Sequence, residues 1–212
     1  MSAVLIQHIY PDTPGVKLFD ITREHHEKYC DKHGIDYQCV IDDPCPELDK
    51  NTGSWGKVEL IRRALIEYDD VVWLDADTLI VDMDTSLVDG VQYGKIGACW
   101  QRIPQLPQGH WNVGALYLSS TMETMEFVQS WIAAYPPTDG WLEQGIFNRL
   151  GHETNIVVTL SDKWNATLDV SMVPDAVVLG FHGQGDPQFR YNSMKNAFDN
   201  IFQKRKRESV PG

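Results

Sequence analysis

Basic side chains are in short supply in this 212-residue chain: 18 Lys and Arg stand against 30 Asp and Glu, a formal charge of −12. Residues 204–212 hold Lys204, Arg205, Lys206 and Arg207 against one acid, Glu208. Residues 1–203 therefore carry 14 basic and 29 acidic side chains, or −15. A nucleic-acid binder needs a basic face for phosphates, so the balance argues against that class. An anionic ligand must approach this body against its mean field, and needs a local cation or metal ion to do so. Cysteine is sparse too. Cys30, Cys39, Cys45 and Cys99 form no C-x-x-C pair and no zinc spacing, and read as free thiols of a reducing compartment. No apolar run approaches the roughly 18 residues of a membrane helix, so no membrane span is expected. The opening MSAVLIQHIYPD lacks the basic lead and apolar length of a signal peptide. Together these absences predict a cytoplasmic protein.

What is present is the composition of a globular chain, 42% hydrophobic and 10% aromatic, long enough to bury one full core. Ala3–Ile9 reads as a buried strand, Asp20–His33 as a helix stopped by Gly34, and Tyr37–Ile41 as a second strand. Residues 42–53, with two prolines, read as a loop. Val58, Ile61, Ala64, Leu65 and Tyr68 then repeat at helical spacing, and Val71–Leu74 is a buried strand. This strand–helix alternation predicts an α/β fold with a mixed, mostly parallel sheet flanked by helices. The second half predicts strands at Ile96–Trp100, Ala115–Leu118, Ile156–Leu160 and Ala176–Phe181. Helices are expected from Ser120 (with Glu123 in capping-box register), near Trp141–Leu150, and over Asn192–Gln203. The expected organisation is a single domain over residues 1–203 and a basic tail or linker over 204–212.

Ligands of such sheets bind outside the carboxyl ends of the strands. Asp75-Ala76-Asp77 sits there. Acids two apart on a regular strand share a face, and such a pair can hold a hard divalent cation that also takes phosphate oxygens. Lys57 opens the preceding helix, where it can reach a phosphate or simply lie exposed in a first turn. His182 follows a strand, and Gly183 and Gly185 beside it let backbone amides approach a phosphate. Asn112-Val113-Gly114 suits a polyhydroxyl ligand or an ordinary turn. Glu143-Gln144 lies near a helix start, where an acid also serves as a cap. His26, Cys30 and His33 share a helix face, but no fourth ligand at zinc-site spacing accompanies them.

The segments WLDADTLI, NVGALYLS, EQGIFN and FHG occur in one order and together resemble the nucleotide-sugar glycosyltransferases of the Rossmann-like GT-A fold. The likeness is greatest to the retaining families of glycogenin and the bacterial lipopolysaccharide galactosyltransferases, next to the galactosyl- and xylosyltransferases of the plant and fungal Golgi, and faintest to chlorella-virus capsid-glycan glycosyltransferases, which would place the chain in host cytoplasm. It covers about residues 3–190. The resemblance implies a nucleotide-sugar donor, a glycan or glycoprotein acceptor, and a Mn²⁺ or Mg²⁺ cofactor on Asp75, Asp77 and His182. Asp75 also matches a residue near the ribose, and Lys57 one near the donor sugar or phosphates. Asn112 and Gly114 match a segment beside the sugar, and Asn165 matches a substrate-binding asparagine that follows the acid–glutamine helix. Glu143 and Gln144 match the catalytic acid–glutamine pair, with Glu143 in place of an aspartate. His8 and Tyr10 would face the base. A lysine common six residues after the late histidine is Gln188 here, so Arg190 or Lys195 is the expected substitute. A nucleotidyltransferase is the rival enzyme, but His8–Asp12 lacks the glycine-rich basic loop that reading needs. A non-catalytic nucleotide-sugar-binding domain is the other alternative.

Overall fold

A computed structural model describes residues 1–10, 16–41, 55–104, 106–135, 142–167, 173–182 and 186–208, the last of these beyond 201 by backbone alone. The elements are β1 (Ala3–His8), α1 (Val16–His33), β2 (Asp36–Val40), α2 (Trp55–Glu67), β3 (Asp70–Leu74), β4 (Thr78–Ile80), β5 (Ile96–Ile103), β6 (Leu106–Ser119), α3 (Met122–Ala133), α4 (Leu142–Thr154), β7 (Val157–Leu160), β8 (Ala166–Thr167), β9 (Val178–Gly180) and α5 (Pro187–Glu208). Six strands form the main sheet in the order β2-β1-β3-β6-β5-β7. The β1–β2, β1–β3 and β5–β7 pairs are parallel, and β6 runs antiparallel to both neighbours. A small β4-β9-β8 sheet lies beside it.

Strand alternation sorts the core onto two faces. Val4, Ile6, Val71 and Trp73 pack with Val58 and Ile61 of α2, Phe127 and Trp131 of α3, and Phe147 of α4. Leu5, Val72 and Leu74 turn the other way, to Tyr29 and Cys30 of α1. A third cluster of Leu18, Leu79, Phe181 and Met194 ties α1, β4 and α5 together. No helix among the described residues is long and apolar enough to cross a membrane.

The predicted elements are present with shifted limits. The expected loop over 42–53 lies outside the described residues. Helix α3 is capped by Thr121, whose hydroxyl accepts from the Thr124 amide, and not by Ser120 as expected. Helix α5 starts at Pro187 and runs through the basic residues to Glu208, well beyond the expected 192–203. The largest difference is β6, which begins at Leu106 where a proline-containing loop was predicted. Pro107 is tolerated because β6 outruns β3 there: β3 pairs only with Ala115–Ser119, so one side of the strand needs no donor. Between Ala98↔Leu116 and Cys99↔Asn112 the β5–β6 register jumps, leaving residues 113–115 as a bulge.

Candidate active site

The bulge and the end of β3 build the site. Strand β3 stops at Leu74, and Asp75 begins a turn closed by Thr78, whose amide and hydroxyl donate to the Asp75 carbonyl at 3.1 and 2.7 Å. The two acids therefore reach one cleft through a turn, not through the regular strand alternation that the sequence suggested. The Asp75 amide donates to the Gly114 carbonyl in the bulge at 2.8 Å, and Gln7 of β1 donates to the Asp75 carbonyl at 3.2 Å.

Lys57, in the first turn of α2, fills the floor. Its ammonium lies 2.9 Å from Asp75 Oδ1 and 3.2 Å from Glu143 Oε1, and donates to the Val113 carbonyl at 3.1 Å. The side chain is only 5% exposed. Burial works to lower its pKa, but Asp75 and Glu143 more than offset that and hold it above the ordinary value. Burial pushes Asp75 upward; the Lys57 charge and hydrogen bond, with the Trp73 indole donating at 2.8 Å, hold it below the usual carboxylate value. Asp77 accepts from Arg190 at 2.8 Å. Burial and the nearby Asp75 charge nevertheless hold Asp77 above its ordinary value. Glu143, expected either as a cap or as a catalytic acid, is buried on Lys57. His8 and Tyr10 meet edge-to-face at the end of β1, 4.7 Å between centroids, and His8 lines the cleft.

Behind this cleft lies a buried polar network. Asn112 accepts from the Gly114 amide (2.7 Å) and Asn165 (3.0 Å), and its own amide nitrogen lies 2.9 Å from both Gln101 Oε1 and His182 Nε2. Thr167 reaches the same imidazole nitrogen at 2.9 Å, and Gln101 also bonds Thr167. Asn112, expected beside a sugar, thus braces His182 from within, and Asn165, expected at the substrate, holds Asn112 in place. Burial holds the His182 pKa below its ordinary value, so the ring is neutral near pH 7.

The arrangement can be tested against a divalent cation. His182 Nδ1 is buried with no hydrogen-bond partner. A Cβ placed on Gly114 would lie 3.3 Å from Asp75 Oδ2 and 3.4 Å from His182 Nδ1, so both donor atoms face the small space over that glycine. Two carboxylates and an imidazole suit such an ion. Among the described residues, however, no three His, Cys, Asp or Glu side chains converge into a ready cage, and Asp77 is turned to Arg190.

Gly183 and Gly185 lie outside the described residues. Of the two candidate substitutes for the missing lysine, Arg190 is in the cleft, while Lys195 pairs with Asp199 at the surface. His26 accepts from the Ile80 amide and bonds Gln7, and His33 bonds the Met83 carbonyl, so both are structural. Gln7, Trp73 and Gln101 were not singled out from sequence. Only Trp73, in the run before the acid pair, carried a signal.

An open α/β sheet with acids and cations gathered near the carboxyl ends of β1 and β3 has the architecture that the GT-A resemblance predicts. Known structures bear this out. The chain matches the crystal structure of a glycosyltransferase involved in glycosylation of the major capsid of PBCV-1 with a TM-score of 0.73, over 92% of this chain and 100% of that one, at 14% identity. It matches apo GlyE of Streptococcus pneumoniae TIGR4 with a TM-score of 0.55, over 99% and 64%, at 13% identity. Sequence narrows the kinship. Residues 4–95, from β1 through the acid pair, match the galactosyl transferase GMA12/MNN10 family. A 67-residue stretch is 31% identical to an uncharacterized alpha-1,2-galactosyltransferase of Schizosaccharomyces pombe, covering 30% of this chain and 18% of that protein. The fold, and the sequence kinship of residues 4–95, relate the chain to glycosyltransferases; it spans about a fifth of the length of the curated relative it matches.

Proposed function

We propose that the protein moves a sugar from a nucleoside-diphosphate sugar, with UDP the expected nucleotide, to a glycan or protein-linked acceptor with retention of anomeric configuration. The observation that carries this reading is the cation–acid cluster Lys57, Asp75, Glu143, Asp77 and Arg190, set in a cleft of an otherwise acidic chain. Lys57 and Arg190 supply positive charge for a diphosphate, and the N-termini of α2 and α5 add their dipoles. The His8–Tyr10 pair offers a ring face to the base. Glu143, in the cleft, is the group that can stabilise positive charge developing at the anomeric carbon; Gln144, the other expected candidate, turns its amide oxygen to the Val113 amide at 3.3 Å. Asp75, Asp77 and His182 would hold Mn²⁺ or Mg²⁺, which when bound supplies Lewis-acid charge for the leaving diphosphate.

The test is a panel of nucleotide sugars, read as nucleoside-diphosphate release and sugar transfer with Mn²⁺ and with excess EDTA. Transfer from one donor, lost in EDTA and giving a product of retained configuration, is expected. Full turnover in EDTA removes the metal from the scheme, an inverted product removes retention, and no release from any donor removes the enzyme reading.

A further inference from the structure

Gln144 borders a second hollow, between the tip of the β5–β6 hairpin and α4, walled by Leu106, Gln108, Gly109, Asn148 and His152. One residue separates this hollow from the cleft. The Val113 carbonyl accepts from Lys57 on the cleft side, and the Val113 amide donates to Gln144 Oε1 at 3.3 Å on the other. In the same way Glu143 lines the cleft and its neighbour Gln144 lines the hollow.

The two linings differ in kind. The cleft holds five charged side chains, whereas among the described residues no Asp, Glu, Lys or Arg lines the hollow, in a chain of −12. Aromatic rings stand behind it. Trp100 and Trp111 meet edge-to-face at 5.1 Å, and the exposed His152 ring lies 4.7 Å from Trp111 at 38°. Gly109, at φ +88°, rests against the Trp100 indole, where a Cβ would collide with the ring. The wall is preformed. Asn148 accepts from the Trp111 amide at 2.7 Å and donates to the Trp111 and Gln144 carbonyls at 2.9 and 3.0 Å, locking α4 to β6.

A wall of amide and imidazole tips beside the apolar Leu106 and Gly109 matches a pyranose ring, which has hydroxyl edges and a C–H face. Among the described residues no Lys or Arg lines the hollow to meet a carboxylated or phosphorylated ligand; His110 and His152 are its titratable side chains. We infer that this hollow is the acceptor subsite and takes an uncharged pyranose, the exposed sugar of a glycan. The inference rests on the proposed transferase reading, because it assigns the second substrate of that reaction to the far side of Val113.

The first test needs no donor. Methyl glycosides of glucose, galactose, mannose and xylose are titrated into the ¹⁵N-labelled wild-type chain, with methyl glucuronide as the charged control. Saturable amide shifts at 106–110 and 144–152 with at least one neutral glycoside, and none with the glucuronide, are expected. No shift with any neutral glycoside, or equal shifts with the glucuronide, overturns the inference. In transfer assays, Leu106→Asp (a charge placed in the hollow) and His152→Ala (an exposed ring removed) should each raise acceptor KM about tenfold, with folding checked from the same spectra. An unchanged acceptor KM in both variants also overturns it. Pyranoside binding without turnover of any nucleotide sugar would sink the proposed function instead. Turnover with an empty hollow would sink the inference alone.

Discussion

Replacing Lys57 by methionine keeps the aliphatic stem and deletes the ammonium that neutralises Asp75 and Glu143 at 2.9 and 3.2 Å. Removing one partner of a buried ion cluster leaves uncompensated charge, at a cost of about 3–5 kcal/mol. In a domain of this size that corresponds to a fall in Tm of roughly 6–20 °C. The loss also has a signature in pH. In the wild type Asp75 is held below its ordinary value of 3.8, so its contribution is present above that value and lost as pH falls through the lower folded value. Lys57 is held above 10.5, so its contribution is present through neutrality and lost only at strongly alkaline pH. Without Lys57, burial dominates Asp75 and raises it, and the variant recovers by taking up a proton on acidification. The stability gap should therefore be widest near neutral pH and narrow towards about pH 5. Urea unfolding followed by tryptophan fluorescence at both pH values measures it. The double variant Lys57→Met/Glu143→Gln should recover part of the loss. A gap under about 1 kcal/mol at neutral pH, or one equal at both pH values, would refute the reasoning.

Gly114→Ala places a Cβ 2.8 Å from Asn112 Oδ1, an atom held by two donors, as well as close to Asp75 and His182. About 1–3 kcal/mol of destabilisation is expected by thermal shift, with a disproportionate loss of turnover. Arg190→Ala should raise donor KM about tenfold while Tm moves little, since that guanidinium is 31% exposed and its pair with Asp77 is only partly sheltered. Asp77→Asn should abolish the response of donor hydrolysis to Mn²⁺, read by titrating the metal. Burial holds the His26 pKa well below 6.5, and that of His182 below it, so the unfolded chain takes up protons that the folded one refuses. Stability should then fall as pH drops below about 6.5, and His182→Gln should flatten that slope in urea unfolding.

The first half of the fold was legible because apolar periodicity and turn residues mark β1, α1, β2, α2 and β3 directly, and the topological rule puts ligands at the ends of such strands. The gathering of Lys57, Asp75, Asp77, Glu143, His182 and Arg190 followed from motifs at those ends. What periodicity does not encode is register. The bulge at 113–115 arises because β6 pairs with β5 on both sides of three residues that β5 cannot match, a long-range fact. The same holds for Asn112 and Asn165. Their amides read as ligand groups in sequence, and only the approach of Gln101 and His182 to Asn112, and of Asn112 to Asn165, turns them inward. The strand-to-turn change at Asp75 was hidden because its cause is the Thr78 hydroxyl and the Gly114 carbonyl, neither of which alters the alternation pattern.

Arg190 meets Asp77 across 113 residues of sequence. During synthesis from the N-terminus, the acid pair and the parallel β1–β3 core exist long before the helix that answers them. A chain halted before Pro187 would have its strands, but it would lack Met194 against Leu18, Leu79 and Phe181, and Asp77 would face the cleft with no guanidinium. Such a fragment is expected to present an apolar scar and an unbalanced negative mouth that repels a diphosphate. Under the proposed function, competence for an anionic donor is in this way deferred until the C-terminal helix is made.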